Sequence, residues 1–137
     1  MLVLDRDAYD AVLDHVTEAT PREACGVLAG QVSEGTRVVE SAIRMHNVAA
    51  APHVTYRIDP VSLLEVIDDL EAAGREVVGF YHAHPAGPAT PSDRDRGDAQ
   101  WGDHHYLVVS LAGPVPTLDA WLWTGEEFAD DAVTFRG

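Results

Sequence analysis

The 137-residue sequence contains no lysine, and all nine of its basic residues are arginines. They are outnumbered by 23 aspartates and glutamates, which gives a formal net charge of -14. We therefore expect no nucleic-acid partner, because phosphate contacts need a positive face, and anionic membranes are disfavoured too. An acidic, lysine-free surface suits a cytoplasm with molar salt, as in a halophilic archaeon, although a high genomic GC content also removes lysines.

Cysteine and long apolar runs are equally scarce. Cys25 is the single cysteine, so no disulfide bond can form within the chain and no zinc site can be built from several thiolates. No stretch reaches the roughly 20 consecutive apolar residues that cross a bilayer. The N-terminal segment lacks the basic and then apolar pattern of a signal peptide. We therefore expect a cytoplasmic protein without a membrane partner.

Apolar residues are well spread and make up 46% of the sequence, which indicates a folded core and excludes a disordered chain. The length fits one domain, 1–137. Apolar spacing, caps and stop signals predict helices at 5–19, 60–73 and 92–100. Short apolar runs predict strands at 1–4, 24–32, 37–48, 76–83, 105–111 and 118–124, with a less regular one at 131–135. This order predicts an α/β sandwich in which helices flank a mixed, largely antiparallel sheet.

Two histidines lie at the end of the strand predicted over 76–83. His82 and His84 are two residues apart, so both imidazoles leave the same face of the strand. Two neutral imidazoles side by side suit a divalent metal ion, and histidine is a common zinc ligand. A His-x-His pair alone is a weak signal, because strand-end histidines are more often structural or incidental. The pair therefore needs a further ligand to indicate a metal site.

Asp95 is a candidate for that ligand. It follows a proline-rich loop, 85–91, which restricts the backbone and can fold the chain back towards the histidines. Two histidines and one carboxylate give three ligands, the usual number for a catalytic zinc with one open position. The same carboxylate could instead close a capping box, because Ser92 and Asp95 have the Ser-x-x-Asp spacing of a helix start. Spacing alone leaves both roles open.

These residues belong to a longer pattern that resembles the JAMM (MPN+) zinc metalloprotease family. The family signature is matched by His82-x-His84-Pro85 and, after five residues, Pro91-Ser92-x-x-Asp95. The stretch 23–30 resembles the family's glutamate strand, and Asn47 with 56–60 resembles the segment before its central helix. The resemblance covers about residues 5–111 and shows no departure at a catalytic position. It implies a JAMM/MPN-like (cytidine-deaminase-like) sandwich and an active enzyme of the small prokaryotic type.

The resemblance also implies a role for each candidate site residue. One zinc ion per chain would be held by His82, His84 and Asp95, with a fourth position left for water. Glu23 would take a proton from that water and hand it to the leaving amine, as general base and then general acid. Ser92 would donate a hydrogen bond to the oxyanion of the tetrahedral intermediate. Without the resemblance, Glu23 would be interpreted as an ordinary surface carboxylate at a strand start.

The implied activity is hydrolysis of the peptide or isopeptide bond after the C-terminal glycine of a ubiquitin-like modifier. In archaea this would be a desampylase, whereas similar bacterial proteins trim β-grasp sulfur carriers. The glycine-terminated tail of such a partner could lie along a strand edge beside the metal, and the irregular segment 49–59 is a candidate contact. Two alternatives stay open: a non-catalytic MPN-type module that binds modifiers, and an enzyme that hydrolyses a small amide.

Cys25 suggests a different class, a Cys–His hydrolase with this thiol as nucleophile. It lies in the apolar run 24–29, where a free cysteine more often packs as a small buried hydrophobe, so we disfavour this class. No ligand spacing is found for the remaining histidines, namely His15, His46, His53, His104 and His105. The tryptophans at 101, 121 and 123 are expected to pack in the core or on the sheet.

Overall fold

The computed structural model describes residues 1–99 and 101–137, with Asp98 described by its backbone alone. Its strands are β1 (Leu2–Asp5), β2 (Cys25–Ser33), β3 (Thr36–Met45), β4 (Glu76–His84), β5 (His104–Ser110), β6 (Thr117–Trp123), β7 (Phe128–Asp131) and β8 (Val133–Arg136). Its helices are α1 (Arg6–Ala19), α2 (Pro60–Ala72) and α3 (Asp93–Asp98). None of the helices in these described ranges is long and apolar enough to cross a membrane.

All of these strands form one sheet, in the order β7-β6-β5-β4-β2-β3-β1-β8. The pairs β1–β3, β1–β8 and β4–β5 are parallel, and the other four pairs are antiparallel. β7 and β8 lie at opposite edges of the sheet, although only Ala132 separates them along the chain. The sheet must therefore curl until its two edges approach each other.

Helices cover both faces of the curled sheet. On one face, Val12 and Val16 of α1 belong to a buried cluster with Leu28 of β2. On the other face, Leu70 of α2 belongs to a second cluster with Phe80 of β4. β4 and β5 are buried along nearly their whole length, which explains their continuous apolar sequence. The predicted single-domain α/β fold, with helices flanking a mixed sheet, is confirmed.

A β-bulge in β4 decides which face the end of that strand presents. Val77 and Gly79 pair with consecutive residues of β2, so Val78 has no residue opposite it. A bulge of this kind shifts the alternation of side chains by one residue. Val78 therefore packs on the α1 side, while both Val77 and Phe80 lie in the cluster on the α2 side. Every second residue after Phe80 faces the α2 side as well.

Two strand predictions differ from the structure. The strand predicted over 37–48 ends at Met45, and beyond it Asn47 forms only an isolated antiparallel bridge with Ile58. The tail predicted as one strand over 131–135 is two strands that meet at Ala132. Each of these short strands pairs with a different edge of the sheet, which local sequence does not specify.

The helix predicted over 92–100 is shorter than expected. It runs from Asp93 to Asp98, and Ala99 has extended backbone angles that end it. The last predicted residue, Gln100, lies outside the described residues. Its start agrees with the sequence, because Ser92 is the N-cap and forms a capping box with Asp95.

Candidate metal centre and active site

The end of β4 carries two buried histidines on one face. In the sheet, His82 lies between Cys25 of β2 and Val108 of β5, and His84 lies beside Ser110 of β5. The Nε2 atoms of the two rings are 3.2 Å apart. Because the bulge turns this part of β4 towards the α2 side, both rings leave the sheet on that side and converge.

Asp95 reaches the two histidines from the first turn of α3. Its Oδ2 atom lies 3.0 Å from Nε2 of His82 and 3.0 Å from Nε2 of His84. The same oxygen accepts a hydrogen bond of 2.8 Å from the backbone N–H of Ser92, and Ser92 Oγ accepts one of 3.1 Å from the backbone N–H of Asp95. The capping box and the approach to the histidines therefore coexist, since a carboxylate oxygen has more than one lone pair.

Contacts around the rings fix how the histidines present their nitrogens. Nδ1 of His84 lies 2.8 Å from the carbonyl oxygen of Pro88. A carbonyl only accepts, so Nδ1 donates the proton and the neutral ring keeps a lone pair on Nε2. The ring of His82 stacks on Tyr56, with centroids 4.4 Å apart. Both rings are thereby held with Nε2 directed at Asp95.

Glu23 joins this group from the segment that precedes β2. The residue is 6% exposed. One of its carboxylate oxygens, one ring nitrogen each of His82 and His84, and one carboxylate oxygen of Asp95 all lie within 4.8 Å of one another. Its Oε1 atom is buried and has no hydrogen-bond partner in the described part of the chain. Burial raises the pKa of Glu23 to about 7, with His84 opposing the rise and the Asp95 carboxylate adding to it. A carboxyl group with this pKa can both take and give a proton near neutrality.

The other titratable groups influence one another through their short contacts. Burial works against the charge of Asp95, but the contacts with both histidines outweigh it and hold the pKa of Asp95 well below its usual range. Burial lowers the pKa of His82 in spite of the same contact. For His84 burial is outweighed by the bonds to Asp95 and Pro88, so its pKa is raised. These shifts favour the anionic form of Asp95 and the neutral form of His82. A carboxylate and an imidazole bind a metal ion in these forms.

These donors fit a divalent metal ion. Two imidazole nitrogens and a carboxylate oxygen converge within 3.2 Å, and three ligands of this kind are typical of a catalytic zinc. Glu23 Oε1 is buried close to them without a partner among the described residues, and such orphaned atoms are rare unless a ligand or ion serves them. Within 1–99 and 101–137, no second group of three potential ligands is found.

A cleft of about 330 Å³ gives access to this group. It is lined by Glu23 and His84, by His53 and Val54 from the loop after β3, and by residues of the segment 84–92. Ser92 lies at this cleft and is exposed. Its Oγ accepts a bond from Asp95, so its hydrogen can still be donated to a molecule in the cleft.

The structure brings all five predicted site residues to one place, namely Glu23, His82, His84, Ser92 and Asp95. Sequence reasoning missed Tyr56 as the stacking partner of His82, although the resemblance of 56–60 to the family was a signal for it. His53 and Val54 line the cleft and fall within the segment 49–59, which the sequence indicates as a candidate contact without singling out either residue.

The structure argues against the cysteine hydrolase. The thiol of Cys25 is fully buried and donates to the carbonyl oxygen of Met45 at 3.8 Å. Burial raises its pKa to about 12, whereas a nucleophilic cysteine must be a thiolate. Of the remaining histidines, His15 contacts the hydroxyl of Tyr81 and His105 contacts Asp131, so both are engaged elsewhere.

The prokaryotic homologs of the JAB domain form a family that matches this chain over residues 5–124. The chain belongs to this family, in agreement with the resemblance identified from its motif. A desampylase from Haloferax volcanii is 40% identical over 136 residues, which is 96% of this chain and 94% of the relative. A probable TtuB-protein conjugate cleaving protease from Thermus thermophilus is 36% identical, over 74% of this chain and 65% of the relative.

A CysO-cysteine peptidase from Mycobacterium tuberculosis is 39% identical, over 83% of this chain and 76% of the relative. The solution structure of a protein from Desulfitobacterium hafniense superposes with a TM-score of 0.91 and 30% identity, covering 99% of this chain and 93% of that one. Family and relatives confirm the predicted enzyme class, a JAMM-type peptidase.

Proposed function

We propose that this enzyme uses one zinc ion to hydrolyse the bond that follows the C-terminal glycine of a ubiquitin-like modifier. The observation that carries the proposal is the convergence of His82, His84 and Asp95 beside Glu23, whose Oε1 has no hydrogen-bond partner among the described residues. This arrangement puts three potential ligands of a catalytic metal next to a group that can carry a proton.

His82 and His84 would hold the ion through Nε2 and Asp95 through Oδ2. When bound, zinc supplies a water that is deprotonated near neutral pH and polarises the scissile carbonyl. The protein's part is to keep the ligands in place: the Ser92 amide anchors the Asp95 carboxylate, and the Pro88 carbonyl fixes the ring of His84. Two imidazoles with one carboxylate support zinc as the metal.

Glu23 would act as the proton carrier. Its carboxylate would take the proton of the attacking water as general base, and would then give it to the departing amine as general acid. A pKa of about 7, raised by burial, is suited to both transfers. The protonated amine then leaves, and the carboxylate returns to its starting state.

Ser92 would stabilise the carbonyl oxygen as it becomes negative. The capping bond uses only a lone pair of Ser92 Oγ, so the hydroxyl can donate to that oxygen in the cleft.

The substrate proposal is supported by the relatives and the cleft. The names of the relatives, desampylase and TtuB-protein conjugate cleaving protease, support a protein tail as substrate. A glycine-terminated tail has little side-chain bulk, which suits a cleft bordered by Ala86, Gly87 and Pro88. The tail could lie extended along the segment 49–59, as in β-augmentation.

A second candidate is processing of a β-grasp sulfur carrier. It is favoured by the 39% identity to a CysO-cysteine peptidase over 83% of this chain. The two reactions share the bond after a terminal glycine and differ in the leaving amine, so the same residues would serve both.

We further propose that the sandwich is of the cytidine-deaminase-like type and that 1–137 acts as one catalytic domain in the cytoplasm. The first point is supported by helices on both faces of the mixed sheet. The single catalytic domain is supported by the parallel pairing of β8 with β1, which places the first and last strands side by side in one sheet. The free, buried thiol of Cys25 suits a reducing compartment.

The test compares metal content and cleavage of a Gly-terminated β-grasp modifier joined by an isopeptide bond to a lysine. Wild type should contain one zinc per chain and lose activity with a chelator. Glu23→Gln should keep zinc and lose cleavage, His82→Ala should lose both, and the exposed Glu65→Gln on α2 should match wild type. Zinc without cleavage of any conjugate would reject the substrate, and absence of zinc would leave a modifier-binding module.

A further inference from the structure

Asn47 is the single asparagine of the chain, and its side chain uses its full hydrogen-bonding capacity. Its Nδ2 donates to the carbonyl oxygens of Glu23 at 2.8 Å and Thr55 at 3.0 Å. Its Oδ1 accepts from the backbone N–H groups of Ala49 at 3.0 Å and Arg57 at 3.1 Å. One side chain therefore joins both ends of the loop after β3 to the segment that precedes β2.

The same loop holds the other backbone polar group of Glu23. The N–H of Glu23 donates to the carbonyl oxygen of Pro52 at 2.7 Å. Glu23 precedes the first residue of β2, so it is not a member of the sheet ladder. Its backbone is therefore fixed by this loop, through Pro52 on one side and Asn47 on the other.

The carboxylate of Glu23 depends on this backbone support. Oε1 has no hydrogen-bond partner within the described residues that would orient it. Its direction towards His82, His84 and Asp95 is set by where the main chain of Glu23 is held. The loop also contributes His53 and Val54 to the cleft, but Asn47 bonds neither of them, so its direct effect falls on the carbonyl of Glu23.

We propose that Asn47 is the positioning residue of the active site: by bonding the Glu23 carbonyl and both ends of the 49–57 loop, it holds the Glu23 carboxylate at the metal centre. This inference rests on the role proposed above for Glu23. Asn47 would thus affect proton transfer through Glu23, although it contacts neither the metal nor the substrate itself.

Only an asparagine meets this geometry. Aspartate keeps an oxygen for Ala49 and Arg57, but it turns a second oxygen towards the carbonyls of Glu23 and Thr55, which repels them. Alanine removes all four bonds, so these backbone groups are no longer joined to one another. Glutamine carries the same amide one methylene further from the backbone, so it cannot make all four bonds from this position.

The kinetic test uses Asn47→Asp and Asn47→Ala, with Ala50→Asp as the control for an added charge on an exposed residue of the same loop. We expect both Asn47 variants to keep one zinc per chain and nearly the wild-type KM. Their kcat should fall by about 100-fold, the loss typical of a displaced reacting group. Ala50→Asp should match wild type in all three quantities.

A double-mutant cycle separates positioning from a general structural role. In single turnovers with excess enzyme, Asn47→Asp should cause no further loss once Glu23 has become Gln, because its effect passes through that carboxylate. A full additional loss in the Glu23→Gln background would overturn the proposal. So would wild-type kcat in Asn47→Asp while Glu23→Gln is inactive. If Glu23→Gln itself keeps its activity, the proposed role of Glu23 fails, and this inference fails with it.

Amide hydrogen exchange tests the same support without any reaction. In the wild type, the amides of Glu23, Ala49 and Arg57 should show the same opening free energy, because one side chain joins their segments. In Asn47→Asp the Glu23 amide should lose protection, whereas in Ala50→Asp it should not. Independent exchange of these amides in the wild type would overturn the proposal, even if no Asn47 variant can be folded.

Discussion

A buried histidine lies beside an aspartate at two places in the described part of this protein. At the end of β4, His82 and His84 share the Oδ2 atom of Asp95. At the start of β5, His105 is 1% exposed, and its Nε2 lies 2.8 Å from Oδ2 of Asp131. The two places have the same residue types, so their difference lies in the surrounding partners.

The His105 cluster has its polar atoms paired. Arg37 lies 3.2 Å from Nδ1 of His105, and because a guanidinium only donates, Nε2 must carry the proton that bonds Asp131. Oδ2 of Asp131 also accepts from the N-terminal ammonium group of Met1 at 2.9 Å, and its Oδ1 accepts from the N–H of Ala132 at 2.8 Å. These bonds tie β1, β3 and β5 to the end of β7, which is a structural role.

The candidate metal centre, by contrast, has unpaired polar atoms. Oε1 of Glu23 and Nδ1 of His82 are buried without partners among the described residues, and two Nε2 atoms face one carboxylate oxygen. A His–Asp contact is therefore no sign of a reactive site by itself. A better sign of a reactive site is a group of converging oxygen and nitrogen atoms that have no hydrogen-bond partner in the protein. Burying such atoms costs free energy, which a bound ligand can offset.

The largest effect is expected from Asp95→Asn. The amide oxygen can still accept from the Ser92 N–H and cap α3, but the anionic ligand is removed. We expect this variant to lose its zinc. Its cleavage rate should fall by more than about 100-fold, which is the loss seen when a group that only orients a metal ligand is removed. Metal analysis and cleavage assays check this. One zinc per chain in Asp95→Asn would mean that the carboxylate only caps the helix.

Ser92→Ala should lower kcat by about 10²–10³-fold, the usual effect of removing one donor to an oxyanion. Zinc content should stay at one per chain, because Ser92 supplies no ligand. Loss of the cap should also lower the free energy of unfolding by about 0.5–2 kcal/mol. Steady-state kinetics and denaturant unfolding measure the two effects separately, and an unchanged kcat would remove Ser92 from the catalytic residues.

Asp131→Asn is the matched change at the other cluster. It removes the carboxylate that serves His105 and the N-terminal ammonium group. We expect the free energy of unfolding to fall by about 1–3 kcal/mol, with zinc content and kcat unchanged. Urea unfolding beside the cleavage assay checks this. A strong loss of activity at unchanged stability would contradict the structural role of this cluster.

The smallest effect is expected in the pH dependence of stability. Burial lowers the pKa of His105 below its ordinary value of 6.5, Asp131 opposes this and Arg37 adds to it. The unfolded chain therefore binds the proton first, so stability that is present above pH 6.5 is lost as the pH falls below it.

Metal-free wild type should consequently lose more unfolding free energy than metal-free His105→Gln between about pH 7.5 and about pH 5.5. Unfolding in the presence of a chelator at both pH values measures this difference and keeps zinc release out of it. Equal losses in the two proteins would mean that His105 does not contribute.

The candidate metal ligands could be brought together from the sequence because their relation is local. His82 and His84 share a face by strand geometry, and Asp95 is near in sequence and opens a helix. Spacing could not decide between the two roles of Asp95, because both need the same carboxylate. The structure resolves this, since one oxygen serves the cap and faces the histidines. Glu23 is distant in sequence, so it could be named only through the family resemblance.

Other features depend on contacts that local sequence does not encode. Val78 looks like any other strand residue, yet the bulge there determines the face that His82 presents. Asn47 was noted as part of a resemblance, but its four bonds to separate backbone groups exist only in the folded loop. Ala132 carries no signal that the chain passes there from one edge of the sheet to the other.

Apolar periodicity, caps and fixed spacing act over a few residues, so most helices and strands, the family and the candidate site residues could be predicted from the sequence. Tertiary structure alone decided which histidine lies unsatisfied and which is paired. It also decided how the Glu23 carboxylate is held, because burial and pairing arise from strands that meet only after the sheet has closed.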